Sequence, residues 1–153
     1  MPIYRAPVED YRFLIHEFLE AEKQRDLPGF EDLSPDLIDD ILSGAGKICE
    51  EVLQPINQSG DEEGCHFENG VVRTRKGFKE AYKAYSDGGW GGLSAPAEYG
   101  GAGMPTVINM ALGEMAMAAN QSFARYLWLT SADYGALIAT GAEPDVPGIP
   151  GLD

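Results

Sequence analysis

Gly88-Gly89-Trp90-Gly91-Gly92-Leu93-Ser94-Ala95-Pro96-Ala97-Glu98-Tyr99-Gly100-Gly101-Ala102-Gly103 carries seven of the chain's 19 glycines, and the reading of this stretch decides the fold. Glycine at this density disfavours a helix, because each one loses more backbone entropy than alanine, while Pro96 removes a donor and fixes its own φ. The stretch is therefore a connection. It also holds Trp90, Leu93 and Tyr99, which a solvated linker would leave exposed, so it is predicted to pack as an ordered loop against helices on either side. Spacing argues against a phosphate cradle: no three glycines fall at G-x-G-x-x-G, no Lys-Ser or Lys-Thr follows a G-x-x-x-x-G, and no βαβ pattern surrounds the loop. Gly92-Leu93-Ser94-Ala95-Pro96 also misses the nucleophile elbow, since proline stands where the second glycine must permit the sharp turn.

Working outward, Pro105 opens a helix in which Val107, Ile108, Ala111, Leu112, Met115, Ala118 and Ala119 dominate and charge is confined to Glu114. A helix apolar on nearly all sides is predicted to be buried on nearly all sides. Residues 123–140 form the last helix, with Phe123, Tyr126, Leu127, Trp128, Leu129, Tyr134, Leu137 and Ile138 covering more than one face. That is more aromatic surface than one core consumes, so this face awaits a partner and the chain is expected to form a homo-oligomer. Gly141 is a C′ stop. Residues 142–153, with three prolines and two glycines, read as a loose tail beyond a helical domain of residues 1–141.

Upstream of the loop, residues 75–86 place Phe78, Ala81, Tyr82 and Tyr85 on one side and Lys76, Lys79, Glu80 and Lys83 on the other, a short helix. Asn69-Gly70, flanked by Cys65-His66-Phe67-Glu68 and Val71-Val72-Arg73-Thr74, is a hairpin signal, because both central residues of a type I′ turn need positive φ. Residues 57–63 read as polar and turn-forming. Ser34, followed by Pro35, caps the clearest helix of the chain, whose stripe of Leu37, Ile38, Ile41, Leu42, Ala45, Ile48, Cys49, Val52 and Leu53 runs to Gln54-Pro55. Asp39-Asp40 and Glu50-Glu51 lie opposite that stripe and read as solvated charge. A first amphipathic helix is predicted over residues 8–23, with His16 beside Glu17 as a solvated side chain off its stripe.

The 153 residues suffice for one domain. Twenty-five acidic against 11 basic residues give a formal charge of −14, which repels phosphate backbones and anionic lipids, so neither nucleic acid nor membrane is an expected partner. Acidic residues break up the first twenty positions, and no apolar run approaches the ~18 residues of a membrane span. A soluble, cytoplasmic protein is predicted. Cys49 and Cys65 are too few for a disulfide framework and, with His16 and His66, lack zinc-ligand spacing. Free thiols and no metal site follow.

These elements together predict an all-α protein, an up-and-down bundle of about five helices with a small β-hairpin excursion. Leu93-Ser94-Ala95-Pro96-Ala97-Glu98-Tyr99-Gly100-Gly101-Ala102-Gly103, followed by an apolar helix with Glu114-Met115-Ala116, resembles the N-terminal helical domain of the acyl-CoA dehydrogenases. The opening Tyr4-Arg5-Ala6-Pro7 and Arg12-Phe13-Leu14-Ile15-His16-Glu17 resemble a subgroup with an N-terminal extension that includes the methylmercaptopropionyl-CoA dehydrogenases. The resemblance implies α,β-dehydrogenation of an acyl-CoA thioester, with FAD as hydride acceptor and electron-transfer flavoprotein as partner. In that family a β domain and a C-terminal helical bundle complete the enzyme. The chain is therefore expected to be a truncated form, inactive and without FAD by itself. From the same resemblance, Tyr126, Leu129, Thr130 and Asp133 are expected to wall the acyl chain, with no catalytic residue of the family inside the chain. Pro96, Glu98, Tyr99, Gly100, Gly101 and Gly103 are expected to shape the loop and cap the next helix. Gly113-Glu114 departs from the family, where two acidic residues are commoner. A stand-alone helical module that binds a protein or a free acyl chain without redox chemistry is the rival reading.

Overall fold

The computed structural model describes residues 3–140. The expected Gly141 stop and the tail lie outside the described residues. The chain forms the helical bundle with one small hairpin that the periodicities predict. Its helices are α1 (Val8–Arg12), α2 (Pro35–Ile48), α3 (Asn57–Glu63), α4 (Phe78–Asp87), α5 (Thr106–Ala119) and α6 (Gln121–Thr140).

The central helix is α5, which packs against α2 on one side and α6 on the other. Its Ile108, Leu112, Met115, Ala116 and Ala119 are almost completely buried, as its lack of a polar face requires. They meet Ile38, Leu42, Cys49 and Leu53 of the α2 segment and Phe123 of α6 in one core. Burying a side chain of this size stabilises by roughly 1.5–3 kcal/mol, so the α2–α5–α6 contact carries most of the fold. Of the three methionines of α5, Met115 is fully buried, whereas Met110 is 48% exposed.

Ser34 begins α2 as read: its hydroxyl accepts the Leu37 amide hydrogen at 3.2 Å, and Pro35 fills the first turn. Gln54-Pro55 does not end the helical path. Instead α2 loosens into a π turn (Cys49–Leu53), tightens into a 3-10 turn (Gln54–Ile56) and continues as α3. Residues 57–63, read as turn-forming, are thus helical, because the preceding turns supply their nucleus. The first helix departs in the opposite direction. After α1 it becomes a π turn (Phe13–Phe18), stops at Glu20 in a left-handed conformation (φ 47°), and resumes as a 3-10 turn (Ala21–Lys23).

The hairpin forms at the expected dipeptide. Strands β1 (His66–Glu68) and β2 (Val71–Arg73) pair antiparallel with Phe67 opposite Val72, and Asn69 and Gly70 take φ of 52° and 79°.

Candidate functional site

The glycine-rich loop is closed on itself. The amide of Ala102 donates to the Gly92 carbonyl, Gly103 to Ala95, Met104 to Leu93, and Gly101 to Pro96. The amides of Gly92, Ala95, Tyr99 and Gly100 likewise donate to loop carbonyls. Gly101 is required by close approach, since a Cβ there would stand 2.0 Å from the Ala95 carbonyl oxygen. Leu93 is buried, Trp90 is half-buried, and Tyr99 reaches α6 to meet Tyr134 edge to face at 6.1 Å. The loop shapes the turn as expected but offers α5 no side-chain cap; Pro105 stands at that cap position without one.

Between α4, the loop, α5 and α6 lies a cleft of about 470 Å³. Tyr82, Trp90, Met110, Leu127, Trp128 and Thr130 line it. Trp128 lies over α5 at Gly113, where a Cβ would come within 2.6 Å of its Cζ2. Gly113 therefore makes the room that the indole occupies. Trp128 and Met110 also line a second cleft of about 480 Å³ on the far side, with Leu14, Ile15 and Phe18 from the N-terminal segment. The indole is a partition between two apolar clefts.

The four residues expected to wall an acyl chain all lie on α6 but face different surroundings. Thr130 lines the cleft beside Trp128 and donates its hydroxyl hydrogen to the Tyr126 carbonyl at 3.1 Å. Tyr126 faces a smaller cleft of about 320 Å³ against α4, its ring 6.2 Å from Phe78 and its hydroxyl 3.8 Å from Cys65 Sγ. Burial, and then the Cys65 thiol, raise the Tyr126 hydroxyl above its ordinary value. Leu129 is 62% exposed, and Asp133 is exposed too. Trp128, Leu127 and Ser131, which accompany Thr130 in the cleft, were not singled out for the site. The available signal was a lone glycine in an apolar helix, followed in the next helix by a tryptophan that needs its space.

Asn120, the single residue between α5 and α6, positions the cleft wall. Completely buried, it donates from Nδ2 to the Leu53 carbonyl at 3.0 Å and accepts the Phe123 amide hydrogen on Oδ1 at 3.0 Å. The 3-10 turn explains the free acceptor, since the Asn57 amide donates to Gln54 and leaves Leu53 for the side chain.

Three polar side chains have partners that the sequence reading did not give them. Glu50 is not simply solvated: it accepts from the Arg5 guanidinium and the Ala6 amide, both at 2.8 Å. Those bonds hold its carboxyl below the usual range, the Ala6 amide contributing most. Asp39, its side chain 40% exposed, is solvated as read but also pairs with His16, whose own side chain is only 18% exposed. Both cysteines are free, Cys49 buried and Cys65 exposed. Among the described residues no group of His, Cys, Asp and Glu could hold a metal ion, and no helix is long and apolar enough to cross a membrane.

A self-closed glycine loop leading into a buried helix, and a second helix that walls an apolar cleft over it, define a helical domain with a lined cleft on one side of its core. Residues 38–145 match the family model described as acyl-CoA dehydrogenase, N-terminal domain. The chain belongs to the acyl-CoA dehydrogenase family through that domain. It is 36% identical over 140 residues to 3-methylmercaptopropionyl-CoA dehydrogenase of Ruegeria pomeroyi, a match that covers 92% of this chain and 24% of that protein. The chain thus spans about a quarter of the length of the curated relative it matches.

Proposed function

We propose that this domain supplies part of the acyl-chain wall of an FAD-dependent acyl-CoA dehydrogenase. The observation that carries the reading is the apolar cleft beside Trp128 and Thr130, placed next to the glycine loop in a chain of that family. Thr130, Tyr126, Leu129 and Asp133 are its proposed substrate contacts. Thr130 and Trp128 face the cleft directly, while Leu129 and Asp133 are free to meet substrate or a further domain on the outer face of α6.

The glycine loop does not fit the diphosphate of FAD. The amides of Gly92, Ala95, Tyr99, Gly100, Gly101, Ala102 and Gly103 are spent on loop carbonyls, and no lysine or arginine occurs from Gly88 to Gly103. FAD would be held by residues outside this chain, together with the carboxylate that removes the substrate proton, and electron-transfer flavoprotein would be the electron acceptor. Uniform binding of an acyl tail gives no rate without groups that act in the transition state. The chain alone is therefore expected to be inactive.

The test is to add FAD to the purified chain, remove the excess, record the visible spectrum and assay acyl-CoA-dependent dye reduction. The relative's name makes the 3-methylmercaptopropionyl thioester the first substrate to try. A colourless, inactive chain that gains turnover when the rest of a dehydrogenase of the relative's length is supplied supports the reading. A retained flavin band with turnover by the chain alone overturns it.

A further inference from the structure

His16 sits between two carboxylates contributed by different elements. Its Nδ1 lies 3.4 Å from Glu22 Oε2 on the 3-10 turn, and its Nε2 lies 3.2 Å from Asp39 Oδ1 on α2. A neutral imidazole has one N–H and one lone pair, so it satisfies one of these oxygens and presents a lone pair to the other. Only the imidazolium donates to both. The left-handed turn at Glu20 is what returns Glu22 to the ring, a conformation that a residue other than glycine adopts at a cost and keeps only when its surroundings hold it.

The charges around the ring sharpen the argument. From α2 come Asp39 and the Ser43 hydroxyl, from the 3-10 turn Glu22 and Lys23, and from the histidine's own segment Arg12 and Glu9. Arg12 donates from Nε to the same Asp39 oxygen at 2.8 Å, and also reaches Glu9 and Ser43. Lys23 is held by Glu20 at 2.6 Å. Removing the His16 proton leaves Arg12 as the cation facing Asp39 and withdraws the one that joins Asp39 to Glu22. Partial desolvation pushes the Asp39 carboxyl up, yet the hydrogen bonds from His16 and Arg12 outweigh it and hold the group below the usual carboxylate range.

We propose that His16, as an imidazolium, clasps the N-terminal segment onto α2, and that this segment loosens when the histidine loses its proton. The sign follows from the geometry. The clasp is complete while the imidazole is protonated and is lost when that proton leaves. Its acid limit is set by Asp39, whose carboxyl is held below the usual carboxylate range. The consequence is local. Ile15 and Tyr11, both buried, are plugs from this segment into the core, and with Leu14, Phe18 and Leu19 they form one wall of the cleft that Trp128 and Met110 complete. Loosening takes that wall away and leaves α5 with α6 intact.

The experiment is amide hydrogen exchange on the full chain at pH 5.5 and pH 8.5, corrected for intrinsic rates, in the native sequence, His16→Gln and His66→Gln. Protection between residues 11 and 23 is expected to fall about tenfold over that interval in the native chain and in His66→Gln, and to be low at both pH values in His16→Gln. Protection in α5 is expected to stay constant. The same fall in His16→Gln, or no fall in the native chain, overturns the proposal. Should His16→Gln fail to fold, the nitrogen chemical shifts of the His16 ring in the native chain decide it: both nitrogens protonated at low pH, with loss of protection tracking the ring's titration, supports the clasp, and loss of protection out of step with that titration refutes it.

Discussion

Asn120 shows how much one buried polar side chain organises. Its amide spans the α5–α6 junction and the irregular end of α2 at once, with both ends satisfied and no exposure. Asn120→Ala removes an N-cap and leaves the Leu53 carbonyl buried without a donor, so a loss of about 2–3 kcal/mol is expected in urea unfolding. Asn120→Asp keeps the cap but not the Nδ2 donor and is expected to recover less than half of that loss. A second residue-scale prediction concerns alkali. Burial pushes the Cys49 thiol from 9.0 to about 12, with the neighbouring Glu50 charge adding to it, and burial does the same to the Tyr4 hydroxyl, which rises from 10.0 to about 12. Both groups bind their proton more tightly in the folded chain, so their stabilisation is fully present below pH 9 and is lost as pH rises from there toward 12. Unfolding measured from pH 8 to pH 11 should show stability falling, with a shallower fall in Cys49→Ala.

At the scale of elements, the contact between α5 and α6 is set by space as much as by hydrophobicity. Gly113→Ala places a methyl 2.6 Å from the Trp128 ring. The indole must move, and overpacking of this kind costs about 1–3 kcal/mol. In a Trp90→Phe background, a red-shifted Trp128 emission would report that movement; an unchanged spectrum would show that the helix backbone yields instead. The start of α2 is a simpler case. Ser34→Ala removes the cap on the Leu37 amide, and about 1 kcal/mol of stability should go with it.

For the molecule as a whole, the unspent apolar surface is the dominant fact. Phe13, Phe18, Leu14 and Leu19 of the N-terminal segment, and Tyr126, Trp128 and Leu129 of α6, all remain at least 37% exposed. Scattered apolar residues are ordinary, but Leu14, Phe18 and Leu19 meet Trp128 around one cleft. The chain is expected to self-associate with rising concentration in sedimentation, and salt should strengthen this by screening the −14 charge. A strict monomer at high concentration that binds no apolar dye would contradict it.

The sequence by itself determined the helical class, the hairpin at Asn69-Gly70, the cap at Ser34, the ordered glycine loop and the buried character of the Met115 helix. Each of these follows from neighbours a few positions apart: a period of 3.6, a pair of residues that tolerate positive φ, a hydroxyl three residues before an orphan amide. Tertiary structure alone decided that Gln54-Pro55 is crossed by helical turns, that the first helix breaks at Glu20, and that His16 and Asp39 are neighbours. It also decided that Gly113 answers Trp128 and that Asn120 serves Leu53. The physical reason is range. Such pairings depend on where packed helices bring side chains from distant positions, and a one-dimensional pattern contains no term for that distance. The candidate site divides along the same line: α6 was legible as an apolar helix, but which of its faces meets α4, α5 or solvent depends on Phe123 being buried in the core that α2 and α5 share.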